Sequence, residues 1–113
     1  METYSKRQEK VSKLLQKDLA DIFQKEALLF GNALITVTKV RISPDLSYAK
    51  VFLSIYIPNG DAQEILKAIQ AQTSNFRYIL GKRIRNQVKK IPELQFFIDD
   101  SLDYIENIER LLQ

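Results

Sequence analysis

Residues 48–57, YAKVFLSIYI, alternate without interruption: Ala49, Val51, Leu53, Ile55 and Ile57 fall on one side, Tyr48, Lys50, Phe52, Ser54 and Tyr56 on the other. A period of two is the mark of a strand with one face turned inward. Just upstream, residues 33–43 (ALITVTKVRIS) are rich in β-branched side chains, which suit a pleated, half-buried surface. Between the two runs sits SPDLS, where Pro44 presets φ and Asp45 favours hydrogen bonds to nearby backbone. The pair is therefore a hairpin. Two strands alone are marginal in water, so the apolar face of this hairpin dictates the rest of the fold: other elements must cover it.

The cover comes from both sides of the hairpin. Residues 4–29 place Val11, Leu14, Leu15, Leu19, Ile22 and Phe23 at helical spacing, and Gly31-Asn32 supplies a stop. This helix also carries Lys6, Arg7, Lys10, Lys13 and Lys17. Because the sheet needs its apolar face, it reads as a core element with solvated cations rather than a membrane-surface helix. After PNGD breaks the second strand, Asp61 caps a helix that turns Ile65, Leu66 and Ile69 inward. Thr73-Ser74-Asn75, three poor helix formers, interrupt it, and Ser74 or Asn75 is suited to cap the next helix. That helix carries Phe76, Ile79, Leu80, Ile84 and Val88 and ends before Pro92. LQFFID is a third strand, expected to complete an antiparallel sheet, and SLDYIENIERLLQ is a short C-terminal helix. The fold class is α+β, in one domain spanning residues 1–113.

Charge is segregated along this order. Thr73 to Lys90 holds six Lys or Arg and no acid. From Ile65 to Pro92 there are seven basic residues, so the rest of the chain sums to −4 against a total of +3. Segregation on this scale points to a polyanion-binding face. The break between the two helices strengthens that reading, since first-turn N–H groups and the helix dipole attract phosphate. Lys82 and Arg85 share a helix face, with Arg83 flanking them. Lys6 and Lys10, on the first helix, serve as a control position for general positive charge. Tyr48, Phe52 and Tyr56 present aromatic rings, which on strands are more often packing residues than stacking platforms.

Other chemistries find little footing. There is no His and no Cys, which removes the commonest general base, disulfides and thiolate metal sites. No phosphate-binding glycine loop is present, and Asp99, Asp100 and Asp103 are read as strand-end and helix-cap residues rather than a metal site. No cofactor is expected. The N-terminus METYSKRQEK lacks the apolar stretch of a secretory leader, and VFLSIYI is far shorter than the roughly 20 residues of a membrane span. A cytoplasmic protein without a membrane role follows. A protein–protein adaptor remains the alternative, since the acidic C-terminal stretch could meet basic partners.

A helix–break–helix on a three-stranded sheet is the geometry of KH-type RNA-binding domains, although the G-x-x-G that usually marks their break is absent. The motifs sharpen this. VRISPDLSYAKVFLSIY resembles the hairpin of bacterial ribosome-binding factor A, whose pattern S-x-D-L-x-x-A-K-V is matched by Ser43, Asp45, Leu46, Ala49, Lys50 and Val51. LGKRIR and IPELQFFIDDSLDYIENIERLL are similar to the same family's third segment, with its P-E-L-x-F and D-x-S-L. The resemblance extends from the first helix to the C-terminus. It implies a type II KH-like fold, α-β-β-α-kink-α-β, and a monomer. It implies a non-catalytic factor that binds the small ribosomal subunit or its precursor, and its rRNA, in late 16S rRNA maturation. Contacts to ribosomal proteins are the second partner class. The family's A-x-G kink falls on Gln72-Thr73-Ser74, so Ser replaces a residue with easy access to positive φ. The family's R-I-R-L-R becomes Arg83-Ile84-Arg85-Asn86-Gln87. RNA contact is expected at Ser74, Asn75, Arg77, Lys82, Arg83, Arg85, Lys89 and Lys90.

Overall fold

The computed structural model describes residues 4–99; the expected C-terminal helix, with Asp100 and Asp103, lies outside them. The chain runs α1 (Lys6–Lys25), a 3-10 turn (Ala27–Phe30), β1 (Leu34–Ile42), β2 (Tyr48–Tyr56), α2 (Ala62–Ala71), α3 (Thr73–Ile84) and β3 (Glu93–Ile98). This is the α+β, KH-like arrangement.

α1 starts at a capping box. The Ser5 hydroxyl accepts from Gln8 N–H (3.0 Å), and the Gln8 side-chain oxygen accepts from Ser5 N–H (2.8 Å). The helix ends at Lys25, four residues before the expected limit. A 3-10 turn follows and closes on Gly31 at φ 62, a left-handed backbone that suits glycine. That tighter turn brings Phe30 into the core.

The sheet order is β1-β2-β3, with β1 antiparallel to β2 and β3 parallel to it. The expectation of a wholly antiparallel sheet fails here. The chain crosses the sheet through α2 and α3 before β3 begins, and a helical crossover returns a strand in parallel. The register also shifts between Val37 and Lys39, leaving Thr38 as a bulge. Val37, Val40 and Ile42 are all buried although the first two are an odd number of residues apart, so the bulge is what lets both face the helices.

Inward residues of all three strands meet α1 and α3 in a core built around Phe23, Phe76 and Phe96. Phe76 is 4.7 Å from Phe23, 5.8 Å from Phe96 and 6.1 Å from Phe30, centroid to centroid. On the opposite face Phe52 stacks on Phe97 at 5.7 Å and carries Lys39 over its ring at 4.5 Å, while Tyr48 and Tyr56 are exposed. Phe52 is thus a packing residue. α1 also covers the outer edge of β1: the side-chain amides of Gln8 and Gln16 donate to Ile42 O (3.0 Å) and Val37 O (3.2 Å), and Ile42 N–H donates to Tyr4 OH (2.7 Å). These contacts occupy the edge at Ile42 and Val37, where another strand would otherwise pair. Among the described residues no buried side-chain nitrogen or oxygen lacks a partner, and no helix is long and apolar enough to cross a membrane.

Candidate nucleic-acid interface

The break between α2 and α3 is a single residue. Gln72 N–H donates to Ile69 O (2.9 Å) to end one helix, and Gln72 O accepts from Phe76 N–H (3.0 Å) to begin the next. Its φ of −102° and ψ of 14° leave the helical well without crossing to positive φ. The non-glycine residues with positive φ in the described chain are Asn32, Leu46 and Asn59, so Ser74 in a glycine's place costs this break no strain. The cap expected at Ser74 or Asn75 falls instead on Gln72, which makes no side-chain capping bond. Both residues already lie in the exposed first turn of α3. The Thr73 hydroxyl donates to Gln70 O (2.7 Å), which helps close α2.

The eight sequence-predicted residues separate into three groups. Ser74 and Asn75 stay at the break. Arg77 and Arg83 turn toward the protein. Arg77 donates through Nε to Pro92 O (3.1 Å) and through Nη2 to Ile91 O (2.8 Å), and pairs with Glu93 at 3.5 Å, fixing the entry to β3. Arg83 reaches α1, with Nη2 2.6 Å from Asp21 and Nη1 3.3 Å from Asp18, and its side chain is only 27% exposed. That hydrogen bond holds the Asp21 carboxyl below the usual carboxylate range, with Lys25 adding to the effect, and raises the guanidinium. Arg83 therefore joins α3 to α1 instead of flanking a phosphate row.

Lys82, Arg85, Lys89 and Lys90 remain exposed. Lys82 lies 4.9 Å from the ring of exposed Tyr78, one turn earlier on α3. α3 ends at Ile84, before Val88: Gln87 and Val88 N–H both donate to Ile84 O (2.8 and 3.1 Å), turning the chain sharply. That turn brings Arg85, Lys89 and Lys90 onto one cleft of about 1010 Å³. Its opposite wall is α1, which contributes Arg7 and Lys10. Lys10 is thus no neutral control position but part of the same basic rim. Nothing in the sequence around residues 7–10 brings them to residues 85–90. Only the packing of α1 on the sheet does so.

The third wall is the tip of the β1–β2 hairpin, including Asp45. Asp45 Oδ1 accepts from the hydroxyls of Ser47 and Ser43 (2.5 and 2.7 Å) and from Ser47 N–H (3.1 Å). Those bonds, the Ser47 hydroxyl foremost, lower its pKa from 3.8 to about 2. Because the folded value lies below the unfolded one, the associated stability is full above pH 3.8 and is lost as pH falls through about 2. A carboxyl-carbon NMR titration should place the Asp45 midpoint near 2. Ser47→Ala should move it upward and open the hairpin tip at a higher pH. A midpoint unmoved by Ser47→Ala would remove the hydroxyl as the cause.

Comparison with known proteins agrees with this architecture. The family profile described as Ribosome-binding factor A matches residues 7–112. Ribosome-binding factor A of Cytophaga hutchinsonii is 50% identical over 109 residues, covering 96% of this chain and 81% of that protein. The crystal structure of ribosome-binding factor A from Thermus thermophilus superposes with a TM-score of 0.65 at 23% identity, over 80% of this chain and 94% of that one. A homology model of the Thermus thermophilus factor, fitted into a cryo-EM map of a complex with the 30S subunit, gives a TM-score of 0.60 at 26% identity, covering 77% of this chain and 89% of that one. With the profile spanning nearly the whole sequence and half the residues shared with a relative of similar length, the chain belongs to the ribosome-binding factor A family.

Proposed function

We propose that this protein binds the small ribosomal subunit or its precursor in the bacterial cytoplasm, and assists late maturation of 16S rRNA by occupancy rather than chemistry. The observation that carries the proposal is the convergence of Arg7, Lys10, Arg85, Lys89 and Lys90 on one cleft, from segments far apart in sequence. Two other arginines of the same basic stretch are held in internal contacts, whereas the five cleft cations are exposed and open to RNA phosphates, with Lys82 also exposed on α3. Family membership and the 30S complex of the Thermus thermophilus factor support the choice of the small subunit as partner. The mechanism is to hold a late-folding RNA segment through backbone contacts until its final arrangement displaces the protein.

The test is a gradient profile of cell lysate. The protein should travel with free small subunits and their precursors, and little with translating ribosomes. A profile wholly at the top of the gradient, or on polysomes, would count against the proposal. Slower trimming of 16S rRNA precursors in cells lacking the protein is the second expected result.

A further inference from the structure

The cleft has a feature that phosphate binding does not use. Beneath its cations the floor is apolar, formed by Val11 and Leu14 of α1, Leu46 of the hairpin tip and Val88 after α3. Of these, Leu14, Leu46 and Val88 are only half-buried, so apolar surface faces the opening. We propose that the cleft takes an unstacked base of single-stranded RNA on this floor, with the flanking phosphates on the cationic rim. This deepens, and rests on, the RNA-binding reading above.

Three observations favour that occupant. First, a duplex offers phosphates and sugars but keeps its base faces stacked, so it would leave the floor uncovered; a single strand offers both. At about 1010 Å³ the cleft has room for a base together with adjoining backbone. Second, the wall holds a fixed acceptor. Asp45 takes its three hydrogen bonds on Oδ1 and lines the cleft, where the exocyclic amino group of a base can donate to it. An acidic peptide side chain would bring only a second carboxylate. Third, the walls are formed in advance. Leu46 sits at φ 63, an uncommon backbone for a residue with a side chain, secured by its N–H to Ser43 O (2.9 Å). Across the cleft, Tyr4 and Gln8 pin the start of α1 to Ile42. A site already ordered loses less freedom when it is filled. It also lies at the opposite end of α3 from the helix break, about 18 Å away for 12 residues at 1.5 Å each. The two ends of one helix thus offer separate places for one strand.

The experiment uses the full chain and two labelled probes: a mixed-sequence RNA of about 12 nucleotides, and the same strand annealed to its complement. Charge alone favours the duplex, so the expected result, single strand bound about tenfold more tightly at 0.15 M salt, requires contacts to bases. The double variant Leu46→Gly with Val88→Ala removes floor without touching charge. It should weaken single-strand binding by about tenfold, or about 1.4 kcal/mol, and leave the salt slope unchanged, because it removes apolar surface that the base would cover and no charge. Should circular dichroism show that variant unfolded, Val88→Thr keeps the side-chain shape, adds a hydroxyl to the floor and should weaken binding by about threefold. Equal or tighter binding of the duplex, or floor variants with wild-type affinity, overturns the inference while a retained salt slope keeps the RNA reading. Absence of salt-dependent binding to either probe overturns both. Displacement of the strand by poly-glutamate at equal charge would instead assign the cleft to an acidic protein segment.

Discussion

Replacing Arg85, Lys89 and Lys90 together by Gln should weaken binding to small-subunit rRNA by about 100-fold at 0.15 M salt. The slope of log K against log[salt] should fall in magnitude by about 2–2.5 units. The reasoning is counterion release. Each phosphate contact contributes about 0.7–0.9 to that slope, which is a factor of about four to five in affinity at this salt concentration. All three side chains are exposed and line the cleft, so the fold should be spared, each substitution shifting stability by no more than about 0.5 kcal/mol. The comparison variant is Arg83→Gln, which removes one positive charge from the same basic stretch. Because that guanidinium is engaged by Asp21 and Asp18, its loss should lower the thermal unfolding midpoint while leaving the slope nearly unchanged. If Arg83→Gln lowered the slope as much per charge as the triple variant, net charge rather than the cleft would govern binding.

Phe76→Ala should lower the free energy of unfolding by about 3–5 kcal/mol, the cost of a large cavity in a close-packed core. Phe76 is 1% exposed and is the ring that Phe23, Phe30 and Phe96 share. Its removal therefore disturbs α1, the 3-10 turn, α3 and β3 together. Total stability of a domain this size is about 5–15 kcal/mol, so a protein near the lower end would keep only about 0–2 kcal/mol. Urea denaturation reads the change directly, with Phe76→Leu as a milder step. A loss below about 1 kcal/mol would mean that the surrounding elements close over the gap and that the aromatic cluster is not the centre of the core.

Much of the fold was legible because it is written in short-range periodicity. Ala49, Val51 and Leu53 alternate and are fully buried, and Leu15, Leu19, Ile22 and Phe23 recur every three or four residues and are buried too. What was not legible depends on pairs distant in the chain. Arg83 looks like its basic neighbours until α1 sets Asp21 beside it, 62 residues away. Arg77 likewise finds carbonyls 14 and 15 residues on. The direction of β3 follows from the crossover and not from its own sequence. Arg7 and Lys10 join the cleft only through tertiary packing. The helix break shifted from Ser74 or Asn75 to Gln72 because the backbone hydrogen bonds change partners there, a choice that side-chain capping preferences did not anticipate. One signal was present and unused: Val37 and Val40 are both apolar at a spacing that no regular strand puts on one face.

Thr38, the residue responsible for that spacing, behaves like a letter spliced into an otherwise regular word. Removing it would leave Val37 next to Lys39 in plain alternation, with every remaining side chain on its present face. A shorter cousin of this chain, aligned with a gap at that position, would thus keep the same sheet. What it would forfeit is a clasp. The Thr38 hydroxyl lies within hydrogen-bonding reach of both Phe52 O and the Asp99 carboxylate, so it spans the central strand and fastens one outer strand to the end of the other. A single inserted residue, silent in the pattern of inside and outside, holds the sheet shut at the point where β3 ends.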